Sequence, residues 1–187
     1  MAVIAPPISV EDYLKLEKTA EVRHEYVNGN LIEVSGESQP ANLIASNLTL
    51  ACRSARKLGF FSYTHNVKVQ TRNTRFRYPN FVVSPKSEKN DQHIIRVPLL
   101  LAEITSPTTA QTNYSTKFEE YLDTLTLRYY LIIEQNRSWV QFYTFDGLDI
   151  RLKALRSFED IIELPELHLS ITLAELYEDV LDQKKGV

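Results

Sequence analysis

The chain has 187 residues, of which 43% are hydrophobic, 24% charged and 10% aromatic, enough for one buried core and ordinary for a water-facing globular protein. Its 21 basic and 24 acidic residues leave a formal charge of −3, unlike domains held on nucleic acid by a strongly basic overall field. Cys52 is the single cysteine, which excludes an intrachain disulfide and a thiolate zinc cluster.

The opening residues MAVIAPPISV are too short and too proline-broken for a signal peptide, and no run approaches membrane-spanning length. A cytoplasmic protein with no membrane partner is the expectation. In chain order, ISVEDYLKLE predicts a short helix capped by Ser9, with Asp12 at its third position. In RHEYVNGNLIEVSG the period switches to two, and Asn28-Gly29 between apolar flanks predicts a hairpin with a tight primed turn. From Pro40 to Leu58, apolar residues at Leu43, Ile44, Leu48, Leu50, Ala51 and Ala55 predict an amphipathic helix stopped by Gly59. Cys52 falls inside it as a small buried apolar residue.

FFSYTHNVKVQT and FRYPNFVVSP read as two strands joined around Arg72-Asn73-Thr74, and SEKNDQH as a polar loop. RVPLLLAEITSP is apolar enough for a central strand buried on both faces, stopped by Pro107. A helix is expected to begin between Asn113 and Ser115, with Phe118, Tyr121, Leu122 and Leu125 inward. LRYYLIIE, SWVQFYTF and IRLKAL predict three more strands, with Asp146-Gly147 turning between the last two, and LHLSITLAELYEDVL a short strand and a closing amphipathic helix. This order predicts an α/β protein built on one mixed sheet with helices on its faces.

Three residues stand out along that sheet. Asn80 follows a proline into the strand FVV, Glu103 lies inside the apolar strand LLAEITSP, and Lys117 opens the helix KFEEY. An ionised carboxylate buried in such a strand is costly unless a partner or cation offsets it. Glu103 shares a strand face with Leu101 and Thr105, so that face meets something polar. Two acidic residues and a lysine at a sheet edge can hydrolyse phosphodiesters, the carboxylates holding magnesium and the lysine orienting water or stabilising charge. A plain ion pair pinning helix to strand explains Glu103 and Lys117 equally well on these residues alone.

From RHEYVNGNLIEVSG to LAELYEDV the chain resembles the Uma-type restriction endonuclease family, a branch of the PD-(D/E)xK nuclease superfamily. The resemblance is carried by EYVNGNLIEVSG, NLIASNL, YPNFVV, LLAEITSPTT, KFEEY and LRYYLII. It implies a restriction-endonuclease-like fold, with a mixed central sheet flanked by helices, as a single domain over residues 1–187 with a helical extension at residues 1–20. It also implies a DNA endonuclease using Mg2+ or Mn2+, with Glu103 and position 80 as metal residues and Lys117 in place of the superfamily lysine, where Thr105 stands here. At position 80 the family has aspartate and this chain has asparagine, which keeps the size but offers only one neutral carbonyl oxygen. The family's histidine at the start of the second helix is absent around Ala41 and Asn42, and its D-R-G before the KF helix is replaced by Asn113, Tyr114 and Ser115. These departures imply weak or absent metal binding. Two functions therefore stand open: a metal-dependent endonuclease with a degenerate site built on Glu103, Lys117 and Asn80, or a catalytically inactive nuclease-fold module that binds DNA or assembles with protein.

Outside that site, the run KVQTRNTRFRY places Lys68, Arg72, Arg75 and Arg77 among aromatic residues. It reads either as a DNA contact or as a charged edge strand that blocks sheet-to-sheet pairing. The four histidines, His24, His65, His93 and His168, show no metal-ligand spacing. Trp139, Phe142, Tyr143 and Phe145 exceed what one sheet face needs, so a core and then a dimer surface are the two explanations. By resemblance, a homodimer is expected.

Overall fold

In the computed structural model, which describes residues 7–89, 91–105, 117–147 and 149–183, the first helix starts where the sequence places its cap. The Ser9 hydroxyl accepts the backbone N–H of Asp12, and α1 runs Val10–Leu16, one orphan donor of its first turn thereby satisfied. Strands β1 (His24–Val27) and β2 (Asn30–Glu33) pair antiparallel around Asn28-Gly29. Both turn residues take positive φ, 49° and 93°, which matches the twist of the flanking strands. Gly29 answers a second demand as well, because a Cβ there would stand 2.4 Å from Pro7 Cβ.

Helix α2 (Gln39–Ala51) is capped by the Ser38 hydroxyl and carries proline in its first turn. It passes into tighter 3-10 turns over Cys52–Leu58 and ends at Gly59, whose φ of 84° makes it the left-handed cap the sequence predicts.

The two long strand-like runs that follow differ from expectation. Each breaks in the middle, giving β3 (Phe60–Thr64), β4 (Lys68–Arg72), β5 (Arg75–Arg77) and β6 (Phe81–Pro85). His65 interrupts the first run with φ 52°, and Pro79, which has no N–H for a ladder, interrupts the second. The halves part into different sheets. Strands β7 (Ile94–Ile95), β8 (Leu100–Thr105), β9 (Tyr129–Glu134), β10 (Val140–Asp146), β11 (Asp149–Leu155), β12 (Ile161–Leu164) and β13 (Leu169–Thr172) complete the set. A helix α3 covers residues 117–122, and α4 (Leu173–Leu176) is closed by a capping box between Thr172 and Glu175.

The main sheet has six strands in the order β11-β10-β9-β8-β6-β3. Within it β8 and β9 are parallel, and the other neighbours are antiparallel. A second sheet runs β2-β1-β5-β4-β7, and β12 and β13 form a small hairpin. The single sheet read from the sequence is thus two main sheets and a hairpin. β8 is buried at every residue, as its continuous apolar run predicts.

Alternation along the main sheet sends side chains to two cores. Leu100, Ala102 and Ile104 join Ile44, Leu48 and Tyr177 on the face under α2 and α4. Leu101 joins Val69, Tyr121 and Tyr130 on the other face, under α3 and the second sheet. Phe142 goes to the first core, while Tyr143 and Phe145 pack on the second, so the aromatic excess of β10 is spent on two faces. The guanidinium groups of Arg156 and Arg137 stand over the Trp139 ring, 4.2 and 5.0 Å from its centroid. A third cluster holds α1 on the second sheet, with the Tyr13 ring stacked 4.8 Å from that of Tyr26.

Two helical expectations are corrected. α3 ends at residue 122, one turn short of Leu125, which is 96% exposed, and Leu122 is exposed as well. The amphipathic helix expected to close the chain is four residues long. Tyr177, just past its end, is fully buried, and its hydroxyl donates to the Glu134 carbonyl at 2.9 Å. The predicted start of α3 at Asn113–Ser115, and Pro107, lie outside the described residues. No helix among the described residues is long and apolar enough to cross a membrane.

Candidate active site

Pro79 ends the second sheet's β5 and turns the chain into β6 of the main sheet, leaving Asn80 at the junction. β6 pairs with β8 in the register Phe81↔Ala102, Val82↔Leu101, and one more step sets Asn80 opposite Glu103. Both side chains then point to the face covered by α3. Lys117 and Tyr121, four residues apart on that helix, reach Glu103 from above. The Lys117 ammonium lies 3.1 Å from Glu103 Oε1, and the Tyr121 hydroxyl donates to the same oxygen at 2.8 Å. Asn80, Glu103 and Lys117 line one cavity of about 280 Å³.

Two further carboxylates complete the site. Glu25 comes from β1, which lies between β2 and β5. Its Oε1 accepts Lys117 at 3.0 Å, so the ammonium is held between Glu25 and Glu103. Glu37, just before the α2 cap, accepts the Asn80 side-chain amide at 2.6 Å. The only sequence signal for Glu25 is an acidic residue beside the tyrosine of a short strand, and for Glu37 there is none.

The Asn80 amide is engaged at both ends. Its Oδ1 accepts the backbone N–H of Ile104 at 2.7 Å, and its Nδ2 faces Glu37. Turning the amide over would set two donors against each other at Ile104 and two acceptors at Glu37. Asparagine therefore presents N–H groups, not a lone pair, to the cavity. Glu103 Oε2, by contrast, has no hydrogen-bond partner among the described residues.

Burial pushes the Glu103 carboxyl above the usual carboxylate range, with Glu25 adding to the rise and Lys117 opposing it. Burial also pushes Glu25 up, yet Lys117 and Arg77 together outweigh it and hold that carboxyl below its usual range. Burial depresses Lys117, but the two carboxylates more than reverse this and its pKa is raised, so it stays an ammonium. Four carboxylates (Glu25, Glu33, Glu37 and Glu103) and one ammonium line the cavity among the described residues. That balance repels a phosphate and attracts a cation.

The structure gives the basic hairpin residues definite places. Arg77 is 5% exposed and bridges Glu25 and Glu120 at 2.7 and 2.5 Å. Arg75 reaches Glu120 at 3.0 Å, Arg72 pairs with Asp123, and Lys68 is buried beneath Tyr13. Three of these four cations are thus paired with carboxylates of the same chain, and Arg77 faces inward. Ala41 is buried in the cavity wall, and Thr105 lines it too. Asn113, Tyr114 and Ser115 lie outside the described residues. Among the described residues no group of three or more His, Cys, Asp or Glu side chains is arranged to hold a metal ion.

The architecture, a mixed sheet carrying here a glutamate on a central strand and a lysine on the helix that follows, is shared with a solved structure. A crystal structure described as a "putative nuclease" from Anabaena variabilis superposes with a TM-score of 0.73, covering 94% of this chain and 100% of that one at 18% identity. Residues 10–174 match the family described as "Uma2: Putative restriction endonuclease", and the chain belongs to that family. Two uncharacterized proteins of Synechocystis are related along their length. One is 28% identical over 178 residues, 92% of each chain, and the other 27% identical over 142 residues, 73% of this chain and 80% of that one.

Proposed function

We propose that this protein is a nuclease that hydrolyses phosphodiesters of DNA with the help of a divalent cation, at a site weakened by Asn80. The observation that carries this is Glu103 lining an acidic cavity, its Oε2 without a hydrogen-bond partner among the described residues and Lys117 held 3.1 Å from its other oxygen. With four carboxylates around it, the cavity admits a phosphate only if a cation enters first. The donor chemistry fits a hard cation at Glu103 and Glu37, both carboxylates, and does not fit one at Asn80 in its present hydrogen bonds. Magnesium or manganese bound there would lower the pKa of a water and polarise the phosphoryl oxygen. Lys117, kept charged by Glu25 and Glu103, supplies a fixed positive group for the charge that develops on the phosphorus oxygens. Tyr121 fixes the Glu103 rotamer through its hydroxyl.

A second reading, a nuclease-fold protein that does not cleave, is favoured by one observation: both ends of the Asn80 amide are engaged. Cleavage of supercoiled plasmid in magnesium or manganese decides between them, using wild type, Glu103→Ala and Asn80→Asp. Wild-type cleavage that disappears in Glu103→Ala upholds the nuclease. An inert wild type beside an active Asn80→Asp supports the second reading, and inactivity of all three overturns the nuclease assignment.

A further inference from the structure

Tyr78 walls the acidic cavity and also a second, larger one of about 570 Å³. The two differ in sign. Among the described residues, Lys18, Arg23, Lys68 and Arg96 line the second cavity against Glu17 and Asp91, four cations to two carboxylates.

Both carboxylates are already committed elsewhere. Glu17 Oε1 accepts the His24 backbone N–H at 3.0 Å and the Tyr78 hydroxyl at 2.9 Å. Asp91 Oδ1 accepts the N–H groups of His93 and Ile94, each at 2.8 Å, and its Oδ2 pairs with Arg96 at 2.9 Å. Lys68 is left over. It is only 6% exposed, and its ammonium has no hydrogen bond or ion pair among the described residues. Its contacts are the faces of Tyr13 and Tyr78, 4.9 and 5.8 Å from the ring centroids. Rings offset part of the cost of burying an ammonium, but an unpaired buried charge remains unfavourable. Burial accordingly pushes the Lys68 pKa down, with the carboxylates of Glu17 and Asp91 opposing from beyond ion-pair distance.

We propose that this second cavity binds the phosphate of a nucleotide, with Lys68 as its buried contact and Arg23 and Lys18 at its wall. An anion here supplies the direct partner that Lys68 lacks among the described residues. The volume falls within the roughly 300–1,000 Å³ range of small-molecule pockets and exceeds what a bare phosphate fills. The proposal stands whether or not the acidic cavity is catalytic.

Calorimetric titration of the full chain at low salt tests it, with thymidine 5′-monophosphate, thymidine and a 5′-phosphorylated tetrathymidylate as probes. Wild type is expected to bind both phosphorylated probes and not thymidine, and Lys68→Met to lose about tenfold or more in affinity. Equal affinity for the two phosphorylated probes makes a free nucleotide the ligand; tighter binding of the tetranucleotide by about tenfold makes it a phosphate on a strand. A thermal scan gives an independent readout, because the monophosphate should raise the melting temperature of wild type and leave that of Lys68→Met unmoved. Binding unchanged in Lys68→Met, or a wild type that fails to prefer the monophosphate to thymidine, overturns the proposal.

Discussion

The side-chain amide of Asn80 donates to the Glu37 carboxylate at 2.6 Å, where an aspartate would set two negative charges against each other. Asn80→Asp should therefore lose stability in chelator, by about 1–3 kcal/mol as expected for a buried mismatched polar contact. A divalent cation between the introduced carboxylate, Glu37 and Glu103 would reverse the repulsion. Melting scans with EDTA and with magnesium check this. The variant should gain several degrees from magnesium while wild type gains little, and equal gains would mean that position 80 does not control cation binding.

Arg77 supplies the positive charge at the centre of the buried chain Glu25–Arg77–Glu120–Arg75. Removing one partner of a buried ion pair leaves its mates uncompensated, so Arg77→Met should destabilise by about 3–5 kcal/mol. Urea unfolding measures it. A loss below about 1 kcal/mol, the range of exposed pairs, would mean that water reaches the cluster.

The same network sets a pH dependence. Although burial alone would raise Glu25, Lys117 and Arg77 hold its carboxyl below the ordinary range. A carboxyl with a lowered folded pKa contributes stability that is fully present above its unfolded value, about 4.3 for glutamate, and is lost as pH falls through the folded value. Glu25→Gln should therefore be less stable than wild type at pH 7, and the two unfolding free energies should converge on acidification. A gap that widened toward acid would contradict the direction of the shift.

The parts of this fold written in local chemistry were legible in the sequence. Ser9 and Gly59 mark helix ends through backbone hydrogen bonding and positive φ, Asn28-Gly29 marks a hairpin, and a carboxylate in the apolar run of β8 marks a polar contact. Asn80, Glu103 and Lys117 stood out because each breaks the pattern of its own element. Glu25 and Glu37 did not, since an acidic residue beside a turn is ordinary until strands far along the chain close over it. The pairing within the basic hairpin was hidden for the same reason: Arg77 finds Glu25 and Glu120 at separations of 52 and 43 residues, which no local pattern encodes. The break at His65 was hidden because a single histidine at positive φ, without a glycine beside it like the one after Asn28, leaves only a weak compositional mark.

Cys52 sits in the tightened end of α2, 2% exposed, and burial pushes its thiol up to about 12. Since the thiolate is the reactive form, an aromatic disulfide reagent at pH 8 should leave the folded protein unmodified and release one equivalent only in denaturant. Substitution should follow packing and not chemistry. Cys52→Ala is tolerated better than Cys52→Ser, whose hydroxyl would be buried without a partner at about 1–3 kcal/mol. Both variants should retain whatever plasmid cleavage wild type shows. Loss of cleavage in Cys52→Ala with an unchanged melting temperature would place a thiol in the reaction and displace Glu103 from the centre of it.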